Sequence, residues 1–157
     1  MTTKIQYGQT NGSHVFKMSG DIRYGDIIAL QQYLEHFDLN NLTVLVDLSE
    51  ASHLDSTALG VLAILAIKCR EDGEQKPTIY VDNPVVIEAL MGVCFDLIFN
   101  IENQFESPDV YLEDIASASG TLADVSGTVT VAHKALSEIS DSNQELFKDV
   151  NKLLKKL

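Results

Sequence analysis

The sequence predicts an α/β protein: a mixed β-sheet of four to five strands with helices packed against it, continued by a long C-terminal helical extension. Three observations carry this reading. Short β-branched segments alternate with apolar segments of helical spacing, the pattern of a parallel or mixed sheet covered by helices. Leu42–Leu48 is almost continuously apolar, as in a strand buried on both faces. From Leu122 onward, apolar residues recur at a four-three spacing that belongs to a different architecture. At 157 residues and 45% apolar content, the chain suits one domain with an appendage. The change of pattern divides it into a domain over 1–106 and a helical extension over 107–157.

The elements follow in order. Lys4–Gln9 and His14–Met18 alternate around the turn dipeptide Asn11-Gly12, giving a hairpin that Ser19-Gly20-Asp21 ends. Asp26–His36 places Ile27, Ile28, Leu30 and Leu34 on one helical face. After the Leu42–Leu48 strand comes a polar loop, and then a helix over Ser56–Arg70 that is apolar almost all round and therefore well buried. Thr78–Val81 is a short strand. Asn83 caps the next helix, with Pro84 at its favoured first position, and that helix runs to about Val93. Leu97–Ile101 is a last short strand, and Ser107-Pro108 starts another helix.

In the extension, Leu122, Val125, Val129, Ala132, Leu136, Ile139, Leu146, Val150, Leu153 and Leu157 form one seam, with Asn143 its single polar member. Ala118, Ile115 and Tyr111 keep the register backwards. Such a seam suits a coiled coil, in which Asn143 would fix register at some cost in stability. Leu136, Ile139, Asn143, Leu146, Val150 and Leu153 are then the candidate residues of a homodimer. Two alternatives fit the same residues: an amphipathic helix lying on its own domain, or a helical hairpin turning at Ser140–Asn143, with Ser142 and Glu145 as a capping box. Gly120 and Gly127 each cost a helix about 1 kcal/mol.

Composition excludes several function classes. A net charge of −12, of which −9 falls on Met1–Glu106, repels phosphate backbones and anionic membrane surfaces. Nucleic acid is therefore not an expected partner. The longest apolar run, Ala58–Ile67, is too short to span a bilayer, and Met1–Thr10 is polar rather than a leader. A cytoplasmic protein is expected. Cys69 and Cys94 sit in apolar settings and read as buried free thiols. No cofactor or metal site is expected, because the four histidines lack ligand spacing and there is no Walker-type loop. His14, His36, His53 and His133 read as lone exposed side chains, although His53, just before Ser56, could sense local charge. A triad of Ser56, His53 and Asp47 can be written, but three neighbours on one loop rarely reach triad geometry. An enzyme is not expected.

The residues that carry chemistry are Asp55-Ser56-Thr57. They open the apolar helix, so a hydroxyl is displayed where backbone N–H groups are unpaired and negative charge is tolerated. Phosphorylation would add −1.5 to −2 charges there. It would change surface potential more than structure, repelling an acidic partner. Taken alone, Ser, Thr and Asp at a helix start are ordinary caps, and Asp55 is the better cap, leaving Ser56 to point outward.

The segment V-D-L-S-x5-D-S-T-A-L-G, Val46–Gly60, resembles the signature of the STAS domain family, the anti-sigma factor antagonists. Ser19-Gly20-Asp21-Ile22 is similar to the family's turn before the first helix, and Asp82–Ile101 to its third helix and last strand; together the match covers about Met1–Glu106. The resemblance implies a STAS-like fold and a binding module rather than a catalyst. By position it makes Ser56 the phosphoacceptor of a partner serine kinase. It places Asp21, Asp55 and Thr57 with Ser56 at the partner-binding surface. Arg23 stands where many members carry an aspartate in a loop that touches the partner. The resemblance further implies that the unphosphorylated form binds an anti-sigma factor and that a PP2C-type phosphatase removes the phosphate. Its alternative implication is a non-switching STAS scaffold in a transport or other multiprotein assembly.

Overall fold

Among the described residues, six strands rather than the four to five expected form the sheet, in the order β5-β4-β3-β2-β1-β6. The structure is a computed structural model that describes residues 2–10, 12–36, 38–39, 43–72, 75–104, 110–115 and 122–154. Strands β1 (Lys4–Gln9) and β2 (Ser13–Ile22) make the expected antiparallel hairpin, closed by Thr10 N–H donating to Ser13 O at 2.8 Å. Asn11 lies outside the described residues. Helix α1 (Tyr24–Glu35) leads to β3 (Thr43–Leu54), which pairs parallel with β2. Helix α2 (Ser56–Asp72), β4 (Thr78–Tyr80), α3 (Pro84–Gly92) and β5 (Asn100–Glu102) complete the parallel part of the sheet. Asn83 caps α3 as expected, its Oδ1 accepting from Val85 N–H at 2.9 Å.

Strand β2 does not end at Ser19, and β3 does not end at Leu48. Both run on past register shifts at Lys17/Ser19 and Gly20/Asp21. Gly20, at φ +84°, supplies the backbone conformation that such an irregularity needs, with the Thr2–Thr3 backbone close against it. The segment Ser49–His53, expected as a loop, is therefore strand.

Tyr111 and Ile115 do not extend the helical seam. They flank a two-residue strand, β6 (Glu113–Asp114), which pairs antiparallel with β1 at the sheet edge. Ile115 N–H donates to Ile5 O at 2.8 Å, lengthening the pairing. The helix start expected at Ser107-Pro108 lies outside the described residues.

The extension is a pair of helices, α4 (Leu122–Ser137) and α5 (Asp141–Leu154), packed on each other. The chain reverses at Glu138–Ser140, and the cap of α5 is Ser140 rather than Ser142: its Oγ accepts from Asn143 N–H at 3.1 Å. Asn143 is 1% exposed. Its Nδ2 donates to Val93 O at 2.7 Å and Leu136 O at 3.0 Å. Those carbonyls lie at the C-terminal ends of α3 and α4, where helices leave acceptors unpaired. One buried amide thus ties the hairpin to the domain. Ala132, Ala135, Leu136 and Phe147 belong to the same apolar cluster as Phe16, Leu62 and Ile79.

Candidate functional site

The candidate residues gather at the carboxyl ends of β2 and β3, the end of a parallel pair where open α/β sheets place their sites. The register sets Asp21 opposite His53 and Ile22 opposite Leu54. Asp21 Oδ2 accepts from Arg23 Nε at 2.9 Å and pairs with Nη2 at 2.8 Å, while Oδ1 lies 3.1 Å from His53 Nδ1. The Arg23 guanidinium, and secondarily His53, hold the Asp21 carboxyl below the ordinary carboxylate value. All three side chains are solvent-exposed, so this is a surface charge cluster rather than a buried one.

Asp55 joins the two helices that rise from this end. Its Oδ1 accepts from Ala58 N–H at 2.8 Å, capping α2, and its Oδ2 accepts from Tyr24 N–H at 2.8 Å, at the start of α1. One carboxylate therefore serves two helix N-termini, both favourable places for negative charge. Ser56 follows as the first residue of α2 and is exposed. Thr57 is turned inward and only 4% exposed, because each step along a helix rotates the side chain by about 100°. Of the five residues expected at the partner-facing surface, Asp21, Arg23 and Ser56 are well placed for contact, Asp55 is committed to the backbone, and Thr57 is buried.

The Ser56 hydroxyl has a partner that no local pattern predicts. His133 Nε2, on α4, lies 2.9 Å from Ser56 Oγ. His133 is 7% exposed and stacks on Phe147, with ring centroids 5.6 Å apart and planes inclined by 27°. Its Nδ1 is buried without a hydrogen-bond partner among the described residues. A buried orphan donor costs more than a buried orphan acceptor. The favoured tautomer therefore carries its proton on Nε2 and donates to Ser56 Oγ. Burial pushes His133 below the ordinary histidine value, with the Asp55 carboxylate opposing in part, so the ring is neutral near pH 7.

Among the described residues, this Ser–His pair lacks the third group of a Ser–His–Asp arrangement. A general base must accept the hydroxyl proton at Nε2 and be oriented through Nδ1. In the favoured tautomer Nε2 donates, and Nδ1 has no partner among the described residues to orient it. The triad considered from sequence is dispersed: His53 faces Asp21, and Asp47, 3% exposed, accepts from Ser49 N–H and Oγ at 2.9 and 2.6 Å. No cluster of His, Cys, Asp and Glu able to hold a metal ion occurs among the described residues.

The expectation that His14 and His133 are exposed is corrected: both are buried. For His133 the usable signal was position. It follows Ala132 and precedes Leu136 by three, on the inward side of the seam. Its partner lies 77 residues away in sequence, beyond any local pattern.

Residues 4–76 match the family model of the STAS domain. Osmosensory protein A of Mycobacterium tuberculosis is 31% identical over 80 residues, covering 51% of this chain and 49% of that protein. The chain thus spans about half the length of that curated relative. The crystal structure of an anti-sigma factor antagonist from Mycobacterium paratuberculosis superposes with a TM-score of 0.55 at 19% identity, over 66% of this chain and 88% of the other. At that identity the likeness concerns the fold.

Proposed function

We propose that the chain, whose residues 4–76 match the family model of the STAS domain, is a phosphorylation-switched protein-binding module that antagonises an anti-sigma factor. Ser56 is the phosphoacceptor. The unphosphorylated form binds the partner through the exposed Asp21, Arg23 and Ser56, a serine kinase closes the contact, and a PP2C-type phosphatase restores it. The observation that carries this reading is an exposed serine as the first residue of α2, directly after the carboxylate that fastens the start of that helix. Added charge there meets a helix N-terminus already anchored by Asp55, so α2 and the sheet are kept while the surface potential changes.

No helix among the described residues is long and apolar enough to cross a membrane. Leu136 and Asn143 are buried within the chain, and Ile139 packs against the core. Homodimerisation, as part of this proposal, therefore falls to Leu146, Val150 and Leu153 on α5.

Affinity capture of a purified anti-sigma factor on full-length Ser56→Ala and Ser56→Asp baits tests the switch. The alanine form is expected to retain the partner and the aspartate form to lose it by at least about tenfold, a difference of 1.4 kcal/mol. Equal retention by both baits would contradict switching and favour a static scaffold.

A further inference from the structure

We infer that the C-terminal hairpin is an intramolecular latch on the phosphoacceptor: α4 docks along α2 and holds the Ser56 hydroxyl through His133, so that a phosphate on Ser56 and a docked α4 exclude one another. This rests on the reading of Ser56 as the phosphoacceptor, and adds to it a second output carried by the chain's own extension.

Three contacts define the latch, two of them made by His133. The first is the bond between His133 Nε2 and Ser56 Oγ at 2.9 Å. The second lies one turn further along α2. A Cβ on Gly60 would overlap the carbonyl and side chain of Ala132, so the two helices meet there at a distance only glycine allows. The third is the stacking of His133 on Phe147, which couples α5 to the same point.

A phosphoryl group at Ser56 cannot leave this arrangement intact. If the side chain keeps its present direction, phosphate oxygens enter the volume held by the imidazole edge. The neutral ring can offer that dianion only its single Nε2–H, and balancing more of the charge would take a second proton on the ring. The Nδ1–H so formed would be a buried donor with no acceptor among the described residues. Asp55, the carboxylate beside the site, adds repulsion to a second negative group on the same helix end. If Ser56 instead swings its phosphate to solvent, His133 loses its bond and both ring nitrogens are left buried and unpartnered. Either route weakens α4 against α2. Asn143 still ties α5 to the end of α3, so release is expected to begin at α4.

Hydrogen exchange on the full chain tests this, with phosphoserine installed at position 56 during translation and the unphosphorylated parent chain, which keeps the Ser56–His133 bond, as reference. The expected result is exchange about tenfold faster across Leu122–Ser137, with the strands β2 and β3 as protected as before. Gly60→Ala provides the second arm. Its methyl group should release α4 without phosphate, and phosphate should then add less than about twofold, since the two perturbations act on one contact. Three outcomes would overturn the latch: unchanged protection of α4 in the phosphorylated chain, loss of protection throughout the sheet, or a phosphate effect undiminished in Gly60→Ala. Because the phosphate is installed without a kinase, these outcomes bear on the latch alone. The mass of the protein from its native cell, with or without a phosphoryl group, bears on the phosphoacceptor reading alone.

Discussion

Asp55 concentrates more structural duty than its neighbours in the site. Its two oxygens satisfy one backbone donor on each of two helices, Ala58 N–H and Tyr24 N–H. Asp55→Ala removes both caps and should lower unfolding stability by about 1–3 kcal/mol, read as a shift of the urea midpoint at unchanged slope. Asp55→Asn keeps one acceptor oxygen and should lie between. An alanine variant as stable as the parent would show that these bonds carry no net energy. The aspartate could be identified as a cap from sequence, because Asp before an apolar helical run is a local signal. Its bond to Tyr24 could not, since it joins residues 31 apart whose closeness depends on the parallel pairing of β2 with β3. His133 was opaque for the same reason. Local pattern tells which face of a helix turns inward and leaves open what waits there.

At the level of elements, the sheet and the first three helices were largely legible, because each is marked by its own residues. Pro84 behind Asn83 fixes the start of α3, and the β-branched Thr43–Leu48 run marks the buried centre of β3. The continuation of β3 to Leu54 was hidden by polar Ser49, Glu50, Ser52 and His53, which a strand tolerates on its outward positions. The extension misleads in the other direction. Its seam keeps a heptad register across a reversal of the chain, since both helices turn apolar residues toward one core. Asn143, suited by pattern to an interchain seam, instead closes the ends of α3 and α4. The seam is thus divided. Leu146 and Leu153 remain 60% and 65% exposed, with Val150 between them at i, i+4, i+7 spacing. If these residues mediate the proposed homodimer, light scattering of the full chain should give twice the monomer mass. Leu146→Glu/Leu153→Glu should halve it without altering the circular dichroism spectrum. A monomeric parent chain would remove α5 as a dimer surface.

Over the whole molecule, the excess of 23 acidic over 11 basic residues leaves little cationic surface, so an exposed guanidinium such as Arg23 stands out against a negative field. Two buried histidines also set how the fold responds to acid. Burial lowers both His14 and His133 below the ordinary value of 6.5. Each is neutral in the folded protein, while the unfolded chain takes up protons as pH falls through 6.5. Stability is therefore full above that value and declines below it. Asp21, held below its ordinary value by Arg23, acts in the same direction at still lower pH. The thermal midpoint should thus fall between pH 7.5 and 5.5. A flat profile over that interval would mean that neither imidazole is shielded as described.

The short strand β6 carries a practical lesson for anyone who trims this chain. It covers part of the outer ladder of β1, while α4 lies over α2, so both protective pieces come from residues beyond 110. A fragment cut back to residues 1–106 would bare a strand edge and an oily helix at once. Such a stub invites intermolecular sheet growth, and poor behaviour in the test tube would then speak of missing wrapping rather than of a faulty domain.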